Sequence, residues 1–271
     1  MGKINNLQVL KKDIKGFKVN GLENFSEGEL NIYVANHNSI MDIFYLPMAI
    51  PEEVVSLISA RLLYKKVGDR QEIINKYLNA LPIEAHGGKH YAFMGLNSGA
   101  NMIYYGNSIC IFPEGAYVDE DKIYRGRTGA ARILFTSLSR GIKVNFIPVS
   151  INIKNTINDL DDYHNVSDNV EVTILDKVDY TKLYERYLLS KSYDEKNAVL
   201  HELTDNAMMA IAESLNKEYI NEYITLKPKG NVIYSDGTTL DVEEAQKVKH
   251  LIRYSTDLRI QENFVRNSIV R

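Results

Sequence analysis

Residues 30–37 of the chain read Leu-Asn-Ile-Tyr-Val-Ala-Asn-His, an apolar segment that ends in polar side chains. Its β-branched and aromatic residues predict a buried strand. Residues 41–50, which follow a short polar turn, carry apolar side chains at helical spacing. A buried strand that leads directly into a helix is the repeating unit of α/β proteins. The segment therefore predicts an α/β fold with polar side chains at the end of a strand.

The same alternation continues along the chain. Apolar runs rich in Val and Ile predict strands at residues 30–35, 54–59, 81–83, 108–112, 144–153 and 170–175. Helical spacing predicts the intervening helices at residues 41–50, 71–78, 89–105 and 128–140. This order favours a mostly parallel central sheet flanked by helices, with its chemistry in loops at the strand ends.

The C-terminal part of the chain has a different pattern. Residues 180–223 show helical spacing throughout, which predicts a helical C-terminal region. Pro and Gly at 228 and 230 then indicate a boundary, so we expect a main domain at 1–227 and an extension at 228–271 packed on it. Asp236-Gly237 predicts a hairpin turn, and Asp241 with Glu244 predicts a capping box that opens a last helix to about residue 266.

Composition narrows the class of protein. The formal charge of −3 over 271 residues offers no basic excess for binding a phosphate backbone, so nucleic acid is not expected as a partner. The single cysteine, Cys110, excludes an internal disulfide and a cysteine-based zinc cluster, and its apolar surroundings predict a buried thiol. Residues 1–20 lack the apolar core of a signal peptide. We therefore expect a cytoplasmic protein, soluble or at most peripheral.

A membrane surface is nevertheless a possible partner. Residues 43–46 and 62–64 are apolar, and basic residues at 61, 65 and 66 flank the second group. Apolar side chains beside basic ones suit an anionic membrane interface. The alternative interpretation is that both groups belong to the core and to a solvated face.

The clearest chemical signal is His37 followed five residues later by Asp42. A carboxylate at this spacing can fold back onto one imidazole nitrogen, which fixes the tautomer and leaves the other nitrogen to accept a proton. Without a serine in such a dyad, the hydroxyl or amine of the substrate is itself the nucleophile. The same spacing also fits a helix-capping Asp beside a loop His, so the pair alone does not decide between the two.

Three further segments bring special residues to predicted strand ends. Glu114 can accept a hydrogen bond from a substrate hydroxyl or ammonium, and Gly115 permits close approach of the backbone. Arg127 precedes a helix that begins near Gly129, which predicts a site for a phosphate or a phosphopantetheine-linked donor. Pro148 cannot donate to a sheet ladder, which predicts a bulge or strand end near the site. The alternatives are an ordinary turn and a solvated basic loop.

Together the four segments resemble the glycerolipid acyltransferase family, whose members acylate glycerol phosphate and lysophosphatidate. The resemblance rests on the His-x-x-x-x-Asp block at 37–42, the Phe-Pro-Glu-Gly block at 112–115 and the Ile-Pro-Val block at 147–149. The lead-in at 16–24 is similar as well, so the resemblance covers roughly residues 14–180. It implies a glycerol-3-phosphate acyltransferase-like fold and transfer of an acyl group to a hydroxyl or amine.

The resemblance also implies roles for residues. His37 would be the general base and Asp42 would orient it. The residues expected to bind substrate are Asn38, Ser39, Glu114, Gly115, Arg127 and Gly129, and among them Glu114 and Gly115 would shape the acceptor pocket. The donor would be an acyl thioester of coenzyme A or acyl carrier protein, which is a co-substrate, and neither a cofactor nor a metal is expected.

This chain departs from the family at two positions. Family members usually carry an Arg where Ala85 stands, and their Phe-Pro-Glu-Gly block normally continues Thr-Arg where this chain has Ala116-Tyr117. In the family both guanidinium groups contact the acceptor phosphate. Each such charge-assisted hydrogen bond contributes about 1.5 to 3 kcal/mol. Their joint absence predicts an acceptor other than ordinary lysophosphatidate.

Two alternatives stay open. One is a genuine 1-acyl-sn-glycerol-3-phosphate acyltransferase whose phosphate site uses Arg127, Lys89 or His86 in place of the missing arginines. The other, from a different class, is an inactive module that binds acyl carrier protein or lipid. A module that only binds has no need of a base with its orienting carboxylate, which favours an enzyme.

Overall fold

The structure is a computed structural model that describes residues 7–8, 11–12, 14–59, 70–83, 89–117, 121–154, 169–224, 232–233 and 239–240. Its strands are β1 Lys18–Asn20, β2 Asn31–Ala35, β3 Val54–Ser59, β4 Asn79–Ile83, β5 Ser108–Ile111, β6 Lys122–Tyr124, β7 Asn145–Ile153, β8 Val170–Ile174, β9 Glu218–Ile220, β10 Val232–Ile233 and β11 Thr239–Leu240. Its helices are α1 Asp42–Ala49, α2 Arg70–Tyr77, α3 Lys89–Tyr104, α4 Gly129–Ser139, α5 Thr181–Leu189 and α6 Tyr193–Leu215.

Seven of the described strands form one central sheet in the order β1-β8-β7-β2-β5-β3-β4. All neighbouring pairs in it are parallel except β7 with β8. The predicted α/β fold with a mostly parallel sheet is thereby confirmed. Since β2 and β5 are adjacent and parallel, the segments that follow them leave the sheet at the same edge.

Helices cover both faces of the sheet. Alternate residues of β2 show this directly: Tyr33 and Ala35 face the layer formed by α1 and α2, whereas Ile32 and Val34 face the layer formed by α3, α4, α5 and α6. All five residues of β2 are buried. A strand covered on both faces needs apolar side chains in succession, which explains the continuous apolar run.

Pro148 lies inside β7, where the sequence predicted a bulge or a strand end. The N–H of Asn145 donates to the carbonyl of Leu30, so residues 145, 147 and 149 direct their backbone polar groups toward β2. The residues between them face β8, and Pro148 is the one that has no N–H to donate in that direction. β8 ends at Ile174, opposite Val149. The missing donor therefore falls just beyond the last β7–β8 pair, and the strand end belongs to β8.

The helical prediction for residues 180–223 was wrong in two places. The segment breaks at residues 190–192, where Ser192 and Glu195 form a capping box that starts α6. It also ends in β9, which pairs in parallel with β6 outside the main sheet. Neither three-residue strand is long enough to show a period of two in the sequence.

The hairpin predicted in the C-terminal extension is confirmed by the antiparallel pairing of β10 with β11. The helix predicted for residues 241–266 lies outside the described residues, and the boundary at residue 227 stays a prediction. Cys110 is buried as predicted, and its burial raises the pKa of the thiol to about 12. Among the described helices, none has the length and apolar character needed to cross a membrane.

Candidate active site

His37 lies just beyond the carboxyl end of β2, next to the turn that follows β5. Its Nδ1 is 3.1 Å from Oδ2 of Asp42, the first residue of α1. The imidazole keeps 12% of its side-chain surface exposed, whereas the Asp42 carboxylate has none. The fold thus forms the predicted dyad and leaves the imidazole accessible.

Asp42 is held by more than the imidazole. Its Oδ2 also accepts hydrogen bonds from the backbone N–H groups of Asn38 and Ser39, each at 2.8 Å. Its position in the first turn of a helix places the negative charge where the helix dipole favours it. These contacts keep the carboxylate in one position although it is fully buried.

The contact with Asp42 determines what the imidazole can do. A carboxylate accepts hydrogen bonds, so the ring nitrogen that faces it, Nδ1, carries the proton. In the neutral tautomer with the proton on Nδ1, Nε2 carries none, and no group in the described part of the chain forms a hydrogen bond with it. In that tautomer Nε2 can accept a proton.

Two aromatic side chains flank the imidazole. The ring of Phe112 stacks on it with centroids 4.4 Å apart and an angle of 23° between the planes. Tyr117 meets it edge-on at 5.5 Å. Tyr117 occupies the sequence position where the resembled family carries an Arg, so an aromatic ring lies beside the imidazole at this position.

Glu114 has a structural contact on each carboxylate oxygen. Oε2 accepts the backbone N–H of His37 at 2.7 Å, and Oε1 accepts that of Tyr124 at 2.9 Å. Only 4% of the residue is exposed. Burial raises the pKa of this carboxyl to about 7, against the opposing effect of the two N–H donors. Glu114 therefore positions the main chain of His37, while its predicted contact with the acceptor stays a prediction.

Gly115 and Arg127 are brought together. Gly115 has φ +75°, and a Cβ built on it would lie 3.0 Å from Nε of Arg127. The backbone N–H of Arg127 donates to Pro113 at 2.7 Å, and its exposed guanidinium lies 5.5 Å from the ring of Tyr223. The predicted phosphate site at Arg127 thus has a cation beside the turn that follows β5, and its ligand stays a prediction.

Arg125 and Arg132, two other arginines near Arg127, are engaged within the protein. Arg125 forms a bidentate ion pair with Asp205 of α6, at 3.1 and 2.8 Å. Arg132 bonds Asn197 at 2.7 Å. Gly129 begins α4, as expected, and a Cβ built on it would lie 3.3 Å from the side chain of Leu96. Because both side chains bind other protein groups, neither an anion site nor a solvated loop describes Arg125 and Arg132.

Asn38 and Ser39, predicted to bind substrate, are buried and direct their backbone N–H groups at Asp42. Their predicted contacts with substrate stay predictions. Sequence reasoning missed Asn36, whose side chain bonds Asn38 and the backbone of Ile151. Its position next to His37 was the only signal in the sequence.

Other predicted positions lie elsewhere. Ala85 and His86 are outside the described residues, and Lys89 lies at the start of α3. Residues 43–46, one of the two groups considered for membrane contact, are buried in the core, so that interpretation was wrong for them. Residues 60–69, which include the second group, are outside the described residues. The described residues contain no group of three or more His, Cys, Asp or Glu that could hold a metal ion.

A family comparison agrees with this geometry. Residues 16–152, just over half of the chain, match the family model described as Acyltransferase. The chain belongs to the acyltransferase family. The predicted resemblance and enzyme class are thereby confirmed, and the matched span includes every residue of the His37 site described above.

Among solved structures, this acyltransferase is similar to the crystal structure of the 1-acyl-sn-glycerophosphate (LPA) acyltransferase PlsC from Thermotoga maritima. The two share 18% sequence identity with a TM-score of 0.49, over 77% of this chain and 79% of that chain. A search of curated proteins finds no match.

Proposed function

We propose that this acyltransferase moves an acyl group from a thioester to a hydroxyl or amine of an acceptor that carries no phosphomonoester. His37 is the general base and Asp42 orients it. The observation that carries the proposal is the dyad of a buried carboxylate and a partly exposed imidazole, with Nδ1 at 3.1 Å from Oδ2 of Asp42 and Nε2 left to the substrate.

The reaction follows from that arrangement. Nε2 of His37 removes the proton from the acceptor hydroxyl as the oxygen attacks the thioester carbonyl carbon. The imidazolium that forms is stabilised by the Asp42 carboxylate. When the tetrahedral intermediate collapses, the carbon–sulfur bond breaks, and His37 returns the proton to the departing thiolate. The products are the acylated acceptor and a free thiol, and no covalent acyl-enzyme is required.

The choice of acceptor rests on Tyr117. Its ring lies edge-on to the imidazole at 5.5 Å, where the resembled family has an Arg for the acceptor phosphate. A phosphomonoester placed against this ring would lose its water, and Tyr117 offers it no charge in return, which is costly. A neutral acceptor has no such cost, and it can pack against the rings of Tyr117 and Phe112.

A second candidate is a genuine lysophosphatidate acyltransferase. The observation that favours it is Arg127, whose guanidinium lies against Gly115 in the turn that follows β5. No carboxylate in the described part of the chain forms an ion pair with Arg127. A phosphate could therefore be held by Arg127 beside this turn.

The test measures thiol release from acyl-coenzyme A and from acyl carrier protein, with lysophosphatidate, with neutral lysolipids and amines, or without acceptor. The variant His37→Ala is compared with His201→Ala, which removes a His of α6 outside the dyad. Acceptor-dependent release that His37→Ala abolishes and His201→Ala retains supports the proposal. If lysophosphatidate stimulates thiol release and neutral acceptors do not, the second candidate function is correct. Thiol release from His37→Ala at the wild-type rate would refute both.

A further inference from the structure

Asn36 is fully buried immediately before His37, and its carboxamide makes three hydrogen bonds. Nδ2 donates to the carbonyl of Ile151 on β7 at 2.9 Å and to Oδ1 of Asn38 at 2.7 Å. Oδ1 accepts the backbone N–H of the same Ile151 at 2.8 Å. One side chain thus pairs with both polar backbone groups of one residue on the neighbouring strand.

These two bonds replace a backbone pair. β2 and β7 pair in parallel up to Ala35 with Val149. At the start of the ladder, the N–H of Asn145 donates to the carbonyl of Leu30, the residue before its pair partner. Continued to Ile151, the same register would join its N–H to the carbonyl of residue 36 and its carbonyl to the N–H of residue 38. The carboxamide supplies that acceptor and that donor instead.

Because the Asn36 side chain takes the place of the backbone partners of Ile151, the main chain at His37 is not bound to β7. Because the carbonyl of Ile151 is paired with the Asn36 side chain, the N–H of Asn38 is not held by the sheet. It donates to Oδ2 of Asp42 at 2.8 Å, the oxygen that also contacts the imidazole. A continued ladder would direct this N–H at β7 and would keep His37 within the strand.

We propose that Asn36 is a positioning residue for the His37–Asp42 dyad. Its carboxamide ends the β2–β7 ladder without leaving Ile151 unpaired, and this end allows the turn that reaches Asp42. Asn36 acts through the backbone and through Asn38, and it does not contact the reacting atoms. The inference rests on the proposed role of His37 as base.

The geometry accounts for the residue type. A short side chain must present a donor and an acceptor on one planar group, and among the standard residues of this length only Asn does so. Asp would lack the donor to the Ile151 carbonyl, and Ala would leave both buried groups of Ile151 unpaired. Gln carries one more methylene group in a fully buried site.

Asn31 provides a matched control at the other end of the same strand. It is fully buried, and its Nδ2 donates to Glu29 and Glu52 at 3.0 and 2.9 Å. Its Oδ1 accepts from Asn145 of β7 at 2.9 Å. Asn31→Ala therefore removes a buried carboxamide with a similar number of hydrogen bonds, far along β2 from His37.

The experiment compares Asn36→Ala, Asn36→Asp and Asn31→Ala by thiol release and by hydrogen exchange at the Ile151 amide. Both Asn36 variants are expected to lose about 100-fold in kcat, the cost of a base displaced by about 1 Å. The KM for the acyl thioester should stay within roughly twofold, since the donor site is not altered. Asn31→Ala should retain kcat. Asn36→Ala removes the acceptor of the Ile151 N–H and should lose protection of that amide, whereas Asn36→Asp keeps the acceptor and should retain it.

Two outcomes would overturn the inference. One is a kcat of Asn36→Asp equal to that of Asn31→Ala while His37→Ala is inactive. The other is retained protection of the Ile151 amide in Asn36→Ala, which has no acceptor for that N–H. Asn36→Asp keeps the size of the side chain, so its kcat decides the case in which Asn36→Ala does not fold. If His37→Ala is itself fully active, the proposed function has failed, and the exchange measurement still decides whether the carboxamide pairs with Ile151.

Discussion

Replacing Asp42 by Asn removes the charge of the dyad with little change of shape. The Asn oxygen can occupy the place of Oδ2 and accept the three donors that converge there, from His37, Asn38 and Ser39. Its NH₂ group then takes the place of Oδ1, which is buried and has no hydrogen-bond partner in the described part of the chain. The variant should fold, and it should keep the imidazole near its present position.

The expected loss of rate comes from the imidazolium formed during the reaction. Two unit charges about 4 Å apart interact by about 4 kcal/mol at an effective dielectric constant of about 20. Since about 1.36 kcal/mol corresponds to a factor of ten, Asp42→Asn should lower kcat by about 1,000-fold. This value lies within the range of about 100- to 10,000-fold usual for general acid–base catalysis.

The assay is thiol release under saturating acyl thioester and acceptor, with urea unfolding measured on the same preparations. Asp205→Asn serves as the control, because it breaks a partly buried ion pair with Arg125 away from the dyad. The control should lose stability and keep its kcat. A kcat of Asp42→Asn within roughly threefold of wild type would refute the electrostatic role of Asp42.

Three further predictions concern the turn that follows β5. Burial raises the pKa of Glu114 from its ordinary value of 4.5 to about 7, so the folded state binds the proton more tightly than the unfolded state. The contribution of this proton to the free energy of unfolding is complete below pH 4.5 and is lost as the pH rises through 7. The loss should reach about 3 kcal/mol in urea unfolding, and Glu114→Gln should not show it. Tyr117→Arg should raise turnover with lysophosphatidate relative to a neutral acceptor; an unchanged ratio would contradict the role given to Tyr117. Gly115→Ala, at φ +75°, should cost about 1 to 2 kcal/mol of stability, as should Gly28→Ala at φ +80°. Only Gly115→Ala, whose Cβ meets Arg127, should also reduce thiol release; equal activities would count against a role for that contact.

Much of the fold could be predicted because its signals are local. The long central strands and the helices between them were predicted close to their observed bounds, since apolar runs and helical spacing extend over many residues. The short strands β1, β6 and β9 were missed. Three residues carry no period, and their pairing depends on partners such as β8 that lie far along the chain.

The dyad was also predictable, for a related reason. His37 and Asp42 are five residues apart and belong to one strand-to-helix turn, so their meeting needs no other part of the chain. The contacts that support them are of another kind. Glu114 reaches the N–H of His37 across 77 residues, and Asn36 pairs with Ile151 across 115.

Those long-range partners explain where prediction from residues alone ends. The chemical capacity of each group is written in the sequence: a carboxyl accepts, a carboxamide both donates and accepts, and an imidazole can take up a proton. Which capacity is used depends on which strands become neighbours, here β7 and β5 on either side of β2. That order is set by the packing of the whole sheet between two layers of helices. Glu114 is an example: the sequence shows a carboxyl that can accept hydrogen bonds, and the tertiary structure directs the N–H groups of His37 and Tyr124 at its two oxygens. Its predicted contact with the acceptor stays a prediction.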